Sequence, residues 1–72
     1  MTAPRFRFHL DGHDATQRVY RVTFGPDAAP LGAVRQHLAG YYAGRWSWRE
    51  TGGVWEGYSM SRVRAAGMLP RR

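Results

Sequence analysis

The chain has 72 residues, eleven of them basic and five acidic, for a formal net charge of +6 at pH 7. That length allows one small domain, taken as residues 1–72 with a core over about 5–60 and a basic tail over 61–72, and the lack of cysteine removes disulfides as a source of stability. A hydrophobic share of 43% with 14% aromatic residues excludes an unfolded chain, and no run of 18 apolar residues exists to span a membrane.

The first run, Arg5-Phe6-Arg7-Phe8-His9-Leu10, alternates strictly. It predicts a half-buried strand with Phe6, Phe8 and Leu10 inward and Arg5, Arg7 and His9 outward. The stretch DGHDATQ that follows is rich in turn formers. A second alternating run, RVYRVTF, sets Tyr20, Val22 and Phe24 inward and Arg18, Arg21 and Thr23 outward, so the two runs make an antiparallel hairpin. GPDAAP then breaks the pattern, and Pro30 suits the first turn of a helix, where its missing N–H leaves nothing unpaired. Leu31, Val34, Leu38 and Tyr41 or Tyr42 recur at the spacing of one helix face. They predict a helix over about 30–43, stopped by Gly44 and weakened by Gly32 and Gly40.

The segment RWSWRETGGVWEGYSM holds all three tryptophans. Trp46 and Trp48 alternate with Ser47 and Arg49, Gly-Gly turns the chain, and the return strand follows. That strand sets Val54, Glu56, Tyr58 and Met60 on one face and Trp55, Gly57 and Ser59 on the other. The expected fold is therefore α+β, a four-stranded antiparallel sheet with one helix in the order ββαββ. The basic tail SRVRAAGMLPRR adds a short fifth strand or helical turn near Val63 at most.

Two chemistries are set aside on residue type and spacing. His9, Asp11, His13 and Asp14 are metal-ligand types, but they sit in a turn-forming stretch without a second cluster to complete a site, so no metal or cofactor is expected. Glu50 and Glu56 flank the second hairpin and could face each other, yet cross-strand pairing with Arg49 or Arg62 accounts for them. No nucleophile-elbow or phosphate-loop spacing is present, and the chain reads as a binding module rather than an enzyme.

The arginines carry the stronger pattern. Every basic residue is arginine, whose planar guanidinium bonds phosphate or carboxylate in pairs and stacks on aromatic rings. Arg5, Arg7, Arg18 and Arg21 decorate the first hairpin, Arg45 and Arg49 flank Trp46 and Trp48, and Arg62, Arg64, Arg71 and Arg72 load the C-terminus. Phe6, Phe8, Tyr20, Phe24 and Leu38 are assigned to the core. Trp46 and Trp48 lie in the opposite strand phase to Trp55, so at least one indole is expected outside the core, as an interface anchor or a platform for bases. The excess positive charge points to an anionic partner, DNA or RNA or an acidic protein surface.

The motif Glu50-Thr51, Gly53-Val54-Trp55 and Tyr58, behind a first hairpin and a short basic helix, resembles small anti-CRISPR proteins, phage or mobile-element inhibitors of type I Cascade complexes. The turn is one residue shorter than in the type I-F inhibitor it is similar to. The resemblance implies a protein of the bacterial host cytoplasm that binds the backbone subunits of a type I CRISPR-Cas effector and blocks target DNA. It also implies contact roles for Arg35, placed on the helix, for Arg45, and for Arg62 and Arg64 in the C-terminal segment. Two rival readings stand beside it. One is a basic nucleic-acid-binding prophage regulator, and the other is a small homodimeric interaction module whose second hairpin forms the dimer edge.

Overall fold

The computed structural model describes residues 5–70. Five strands precede a single helix: β1 (Phe6–His13), β2 (Gln17–Phe24), β3 (Ala29–His37), β4 (Trp46–Glu50), β5 (Glu56–Ser59) and α1 (Arg62–Gly67). The strands form one antiparallel meander in the order β1-β2-β3-β4-β5. The α+β class and both terminal hairpins agree with the sequence. The middle element does not: residues expected as a helix over 30–43 form β3 and the loop after it, so the sheet has five strands and the helix stands last.

The reason lies in a bulge. Thr23 pairs with Pro30 while Val22 pairs with Gly32, which leaves Leu31 as an extra residue on β3. In a regular strand, residues three apart point to opposite faces. The bulge shifts the phase, and Leu31 packs on the same buried cluster as Val34. An i, i+3 spacing that imitates a helix is thus satisfied by a strand. Pairing to both β2 and β4 completes the choice, because it fills the second edge of each neighbour. Pro30 sits beside the bulge, where a missing donor is tolerated. At Gly32 any Cβ would run into the carbonyl of Arg49, so the approach of β3 to β4 requires glycine.

One face of the sheet is covered by α1. Val22 and Val34 are fully buried beneath Ala65, Ala66 and Leu69, with Phe6, Phe8, Tyr20, Leu31, Trp46 and Trp48 packed around them. This cluster is small, so the half-buried aromatics supply much of the apolar area removed from water. Ser61 caps α1, its hydroxyl accepting from the Arg64 N–H at 3.1 Å, and Pro70 follows the helix end. Two residues expected inside are not. Leu38 lies past the end of β3 and is exposed, and Leu10 is exposed at the outer margin of β1.

Asp14 closes the β1–β2 hairpin. Its carboxylate accepts from the Thr16 N–H and hydroxyl at 2.7 Å each and from the Gln17 N–H at 3.1 Å. The Thr16 hydroxyl and N–H hold its carboxyl below the usual value. Among the described residues no group of three or more potential ligands converges as a metal site. Nor is any helix among them long and apolar enough to cross a membrane.

Candidate nucleic-acid interface

The other face of the sheet has no helix over it. Register fixes which side chains it carries. Arg7 pairs with Thr23, His9 with Arg21, Arg21 with Ala33, and Ala33 with Arg49. Val19, Arg35 and Ser47 form the next row, and Gln17 with His37 the one after. Residues directly opposite share a face, so β1 to β4 each contribute at least one arginine or histidine here. Glu50 and Glu56 fall in phase with Trp46 and Trp48 on the helix side, Asp14 and Asp27 lie in turns, and Asp11, exposed and unpaired at the β1 bulge between Leu10 and Gly12, is the one carboxylate left on a strand. The open face is therefore basic, with no carboxylate at any of these paired positions.

Trp55 joins the arginines. The guanidinium carbons of Arg35 and Arg49 lie over its ring at 4.7 and 4.8 Å from the centroid. Such contacts contribute about 0.5–1 kcal/mol when exposed and about 2 when desolvated. Arg35 is held further by a bond from Nη1 to Gln17 Oε1 at 3.2 Å, while its Nε is buried with no hydrogen-bond partner. Next to this group Tyr42 stacks on Tyr58 at 3.7 Å and 12°, Tyr58 lies 5.4 Å from His37, and Tyr41 meets Tyr42 edge-on at 4.9 Å. Tyr41, Tyr42 and Tyr58 are all exposed.

A second bulge makes this arrangement possible. Trp46 pairs with Ser59 but Trp48 pairs with Glu56, so β5 carries one extra residue. Gly57 adopts a φ of +63°, and a Cβ there would enter the Trp48 ring. The expected strict alternation of the return strand is thereby broken. Trp55 and Tyr58, three residues apart, both reach the open face instead of opposite ones.

His37 and Ser47 fix the floor between these groups. The buried Ser47 hydroxyl donates to the Gly57 carbonyl at 2.8 Å, so its contact with His37 Nε2 at 2.7 Å must be accepted from an N–H. A serine nucleophile needs the proton to travel the other way, so this pair acts as a strut for the β5 bulge. Burial first, and the Arg35 charge second, push the His37 pKa below its ordinary value.

The candidate residues from the sequence divide between two faces. Arg35 and Arg49 are brought together over Trp55. Arg35 stands on β3 rather than on a helix. Arg45 is exposed at the entrance to β4, its carbonyl accepting from the His37 N–H at 2.9 Å. Trp46 and Trp48 lie on the opposite side, half-buried against the core. Arg62 also lies there, over Phe8 at 4.2 Å and Tyr20 at 5.3 Å, and Arg64 is exposed on α1. Arg18, expected beside Arg21, pairs with Gln36 in phase with Tyr20 and so belongs to the helix side. Residue spacing does not assign Trp55, Tyr42 and Tyr58 to the site. The phase of Trp55 against Trp46 and Trp48 was legible, but the positions of the tyrosines depend on the Gly57 bulge and the loop after β3.

No family model, curated protein or solved structure matches this chain.

Proposed function

We propose that this domain is a binding module for single-stranded nucleic acid, with the open sheet face as its platform. The observation that carries the reading is the combination on one face of Arg7, Arg21, Arg35 and Arg49 with Trp55, Tyr42 and Tyr58, free of paired carboxylates. Guanidinium groups neutralise phosphates, the exposed rings of Tyr42 and Tyr58 stack on unpaired bases at about 1–3 kcal/mol each, and half-buried Trp55 holds the Arg35 and Arg49 guanidiniums on the face. Duplex DNA offers its phosphates but hides its base faces, so a flat aromatic–cationic sheet favours single strands.

A second reading joins this surface to the resemblance seen in the sequence. Of the motif residues, Trp55 and Tyr58 stand on the open face, where they would meet the guide RNA of a type I effector complex and block its target DNA. The Arg35 contact role loses its helix in that comparison, and half-buried Arg35 would meet the same partner from its place beside Trp55.

Anisotropy of labelled single-stranded DNA, single-stranded RNA and duplex DNA, titrated with the protein at low and near-physiological salt, tests both. The first reading expects single strands to bind more tightly than duplex, with the preference lost in Trp55→Ala. Equal affinity for duplex would refute it. No binding at low salt would leave a protein partner, and capture of a purified type I effector complex would then decide the second.

A further inference from the structure

Beyond nucleic-acid binding, we infer that the outer edge of β1 is a docking site for an extended acidic segment of another protein, which adds to the sheet as a sixth strand. β1 is the last strand on its side of the meander. The Arg5 carbonyl accepts from the Gly25 N–H at 3.1 Å, so Arg5 points its backbone groups towards β2. In antiparallel pairing these orientations alternate. Arg7 and His9 therefore also bond inward, and Phe8 and Leu10 turn their N–H and C=O groups out along the edge.

Side chains at this edge define what can pair with it. A hollow of about 360 Å³ lies along it, lined by Arg5, Phe6, Arg7, Phe8 and Val63. Val63 and Leu10 are 59% and 57% exposed, although both belong to the apolar helix side. On the other face the edge presents Arg7 and His9. A strand laid against it has one set of alternate residues beside Phe8, Leu10 and Val63, and the other set beside Arg7 and His9. The complementary sequence alternates apolar with acidic residues.

The same charges argue against a second copy of this chain as the occupant. Antiparallel self-pairing centred on Arg7 would set Arg7 opposite Arg7 of the other copy, and like charges directly opposite are destabilising, while pairing centred on Phe8 would set Arg7 opposite His9 with no carboxylate to meet it. The bulge between Leu10 and Gly12 also ends regular pairing at that point, which confines docking to the first half of the strand. Backbone bonds supply affinity in this mode and the alternate side chains supply specificity.

The test uses a labelled peptide of alternating valine and glutamate, about seven residues long, against a peptide of the same composition with its valines and glutamates in separate blocks. Anisotropy is read for the wild type, Arg7→Glu and Leu10→Pro, with thermal melts confirming that each variant folds. Leu10→Pro removes an outward N–H and leaves the bonds to β2 intact. Expected are tighter binding of the alternating peptide, a loss of about tenfold or more in Arg7→Glu, and a comparable loss in Leu10→Pro. Equal binding of the two peptides would reduce the effect to charge attraction and overturn the proposal. So would full affinity in folded Leu10→Pro. Concentration-dependent dimerisation that the peptide cannot compete with would assign the edge to a second copy instead. If Leu10→Pro does not fold, hydrogen exchange of wild-type β1 decides: added peptide must protect the Phe8 and Leu10 amides.

Discussion

Replacing Arg21 and Arg49 together by glutamine removes two guanidinium groups from the open face, and the salt dependence of binding separates their charge from the lost Arg49 stack on Trp55. Both side chains are exposed on the open face in one row across the sheet, and neither lies in the core cluster. With exposed Arg7 and half-buried Arg35 they place four guanidinium groups on this face. For single strands the salt dependence of log K is about −0.7 per neutralised phosphate, so four contacts give a slope of about −2.8. Raising salt from about 50 to 200 mM then weakens wild-type binding about 50-fold. With two contacts left the slope becomes about −1.4, and the same change weakens the variant only about sevenfold. The assay is anisotropy of a labelled single-stranded oligonucleotide at four or five salt concentrations within about that range, alongside circular dichroism for both proteins. A variant slope equal to that of the wild type would remove Arg21 and Arg49 from the interface. A uniform loss at all salt concentrations would show that they act through packing.

Three further outcomes test the fold and the support of the site. Leu69→Ala should lower stability by about 2–5 kcal/mol in urea unfolding, because it opens a cavity under α1, whereas Leu38→Ala should cost well under about 1 kcal/mol. Equal losses would restore the buried helix face that the spacing of Leu38 imitates. Gly57→Ala should cost about 1–2 kcal/mol from the left-handed backbone alone and more because the Trp48 ring must move. Gly40→Ala, with a φ of +87° and open space around it, should show only the backbone part; a matching loss in both would contradict the close Gly57–Trp48 approach. His37 is held neutral in the folded chain, with its pKa depressed below 6.5. The unfolded chain therefore takes up the proton first, and stability should fall as pH drops below about 6.5 through the folded value. His37→Gln should remove that part of the acid sensitivity, and an unchanged difference in urea midpoint between pH 7.5 and 5 would refute it.

The alternating runs of β1 and β2, the Gly-Gly hairpin and the excess of arginine all follow from residue order. Phe8 packs with Tyr20 and Val22 inside, and Arg7 faces away with Arg21, because period-two patterning needs no tertiary information to choose a face. The opposite phase of Trp55 to Trp46 and Trp48 was readable in the same way. Which indoles would stay in the core was not, since that depends on the side where the helix lands. The chain places α1 over Trp46 and Trp48 and leaves Trp55 with Arg35 and Arg49.

Sequence alone thus determined the strands that alternate and the sign of the surface. Tertiary structure decided the rest through two of the three bulges in the sheet. Leu31 at one bulge turns a helical spacing into one face of β3, and Gly57 at the other gathers Trp55 and Tyr58 onto the open side. A bulge shifts side-chain phase by one position, and local propensity carries no record of the neighbouring strand that makes the shift favourable.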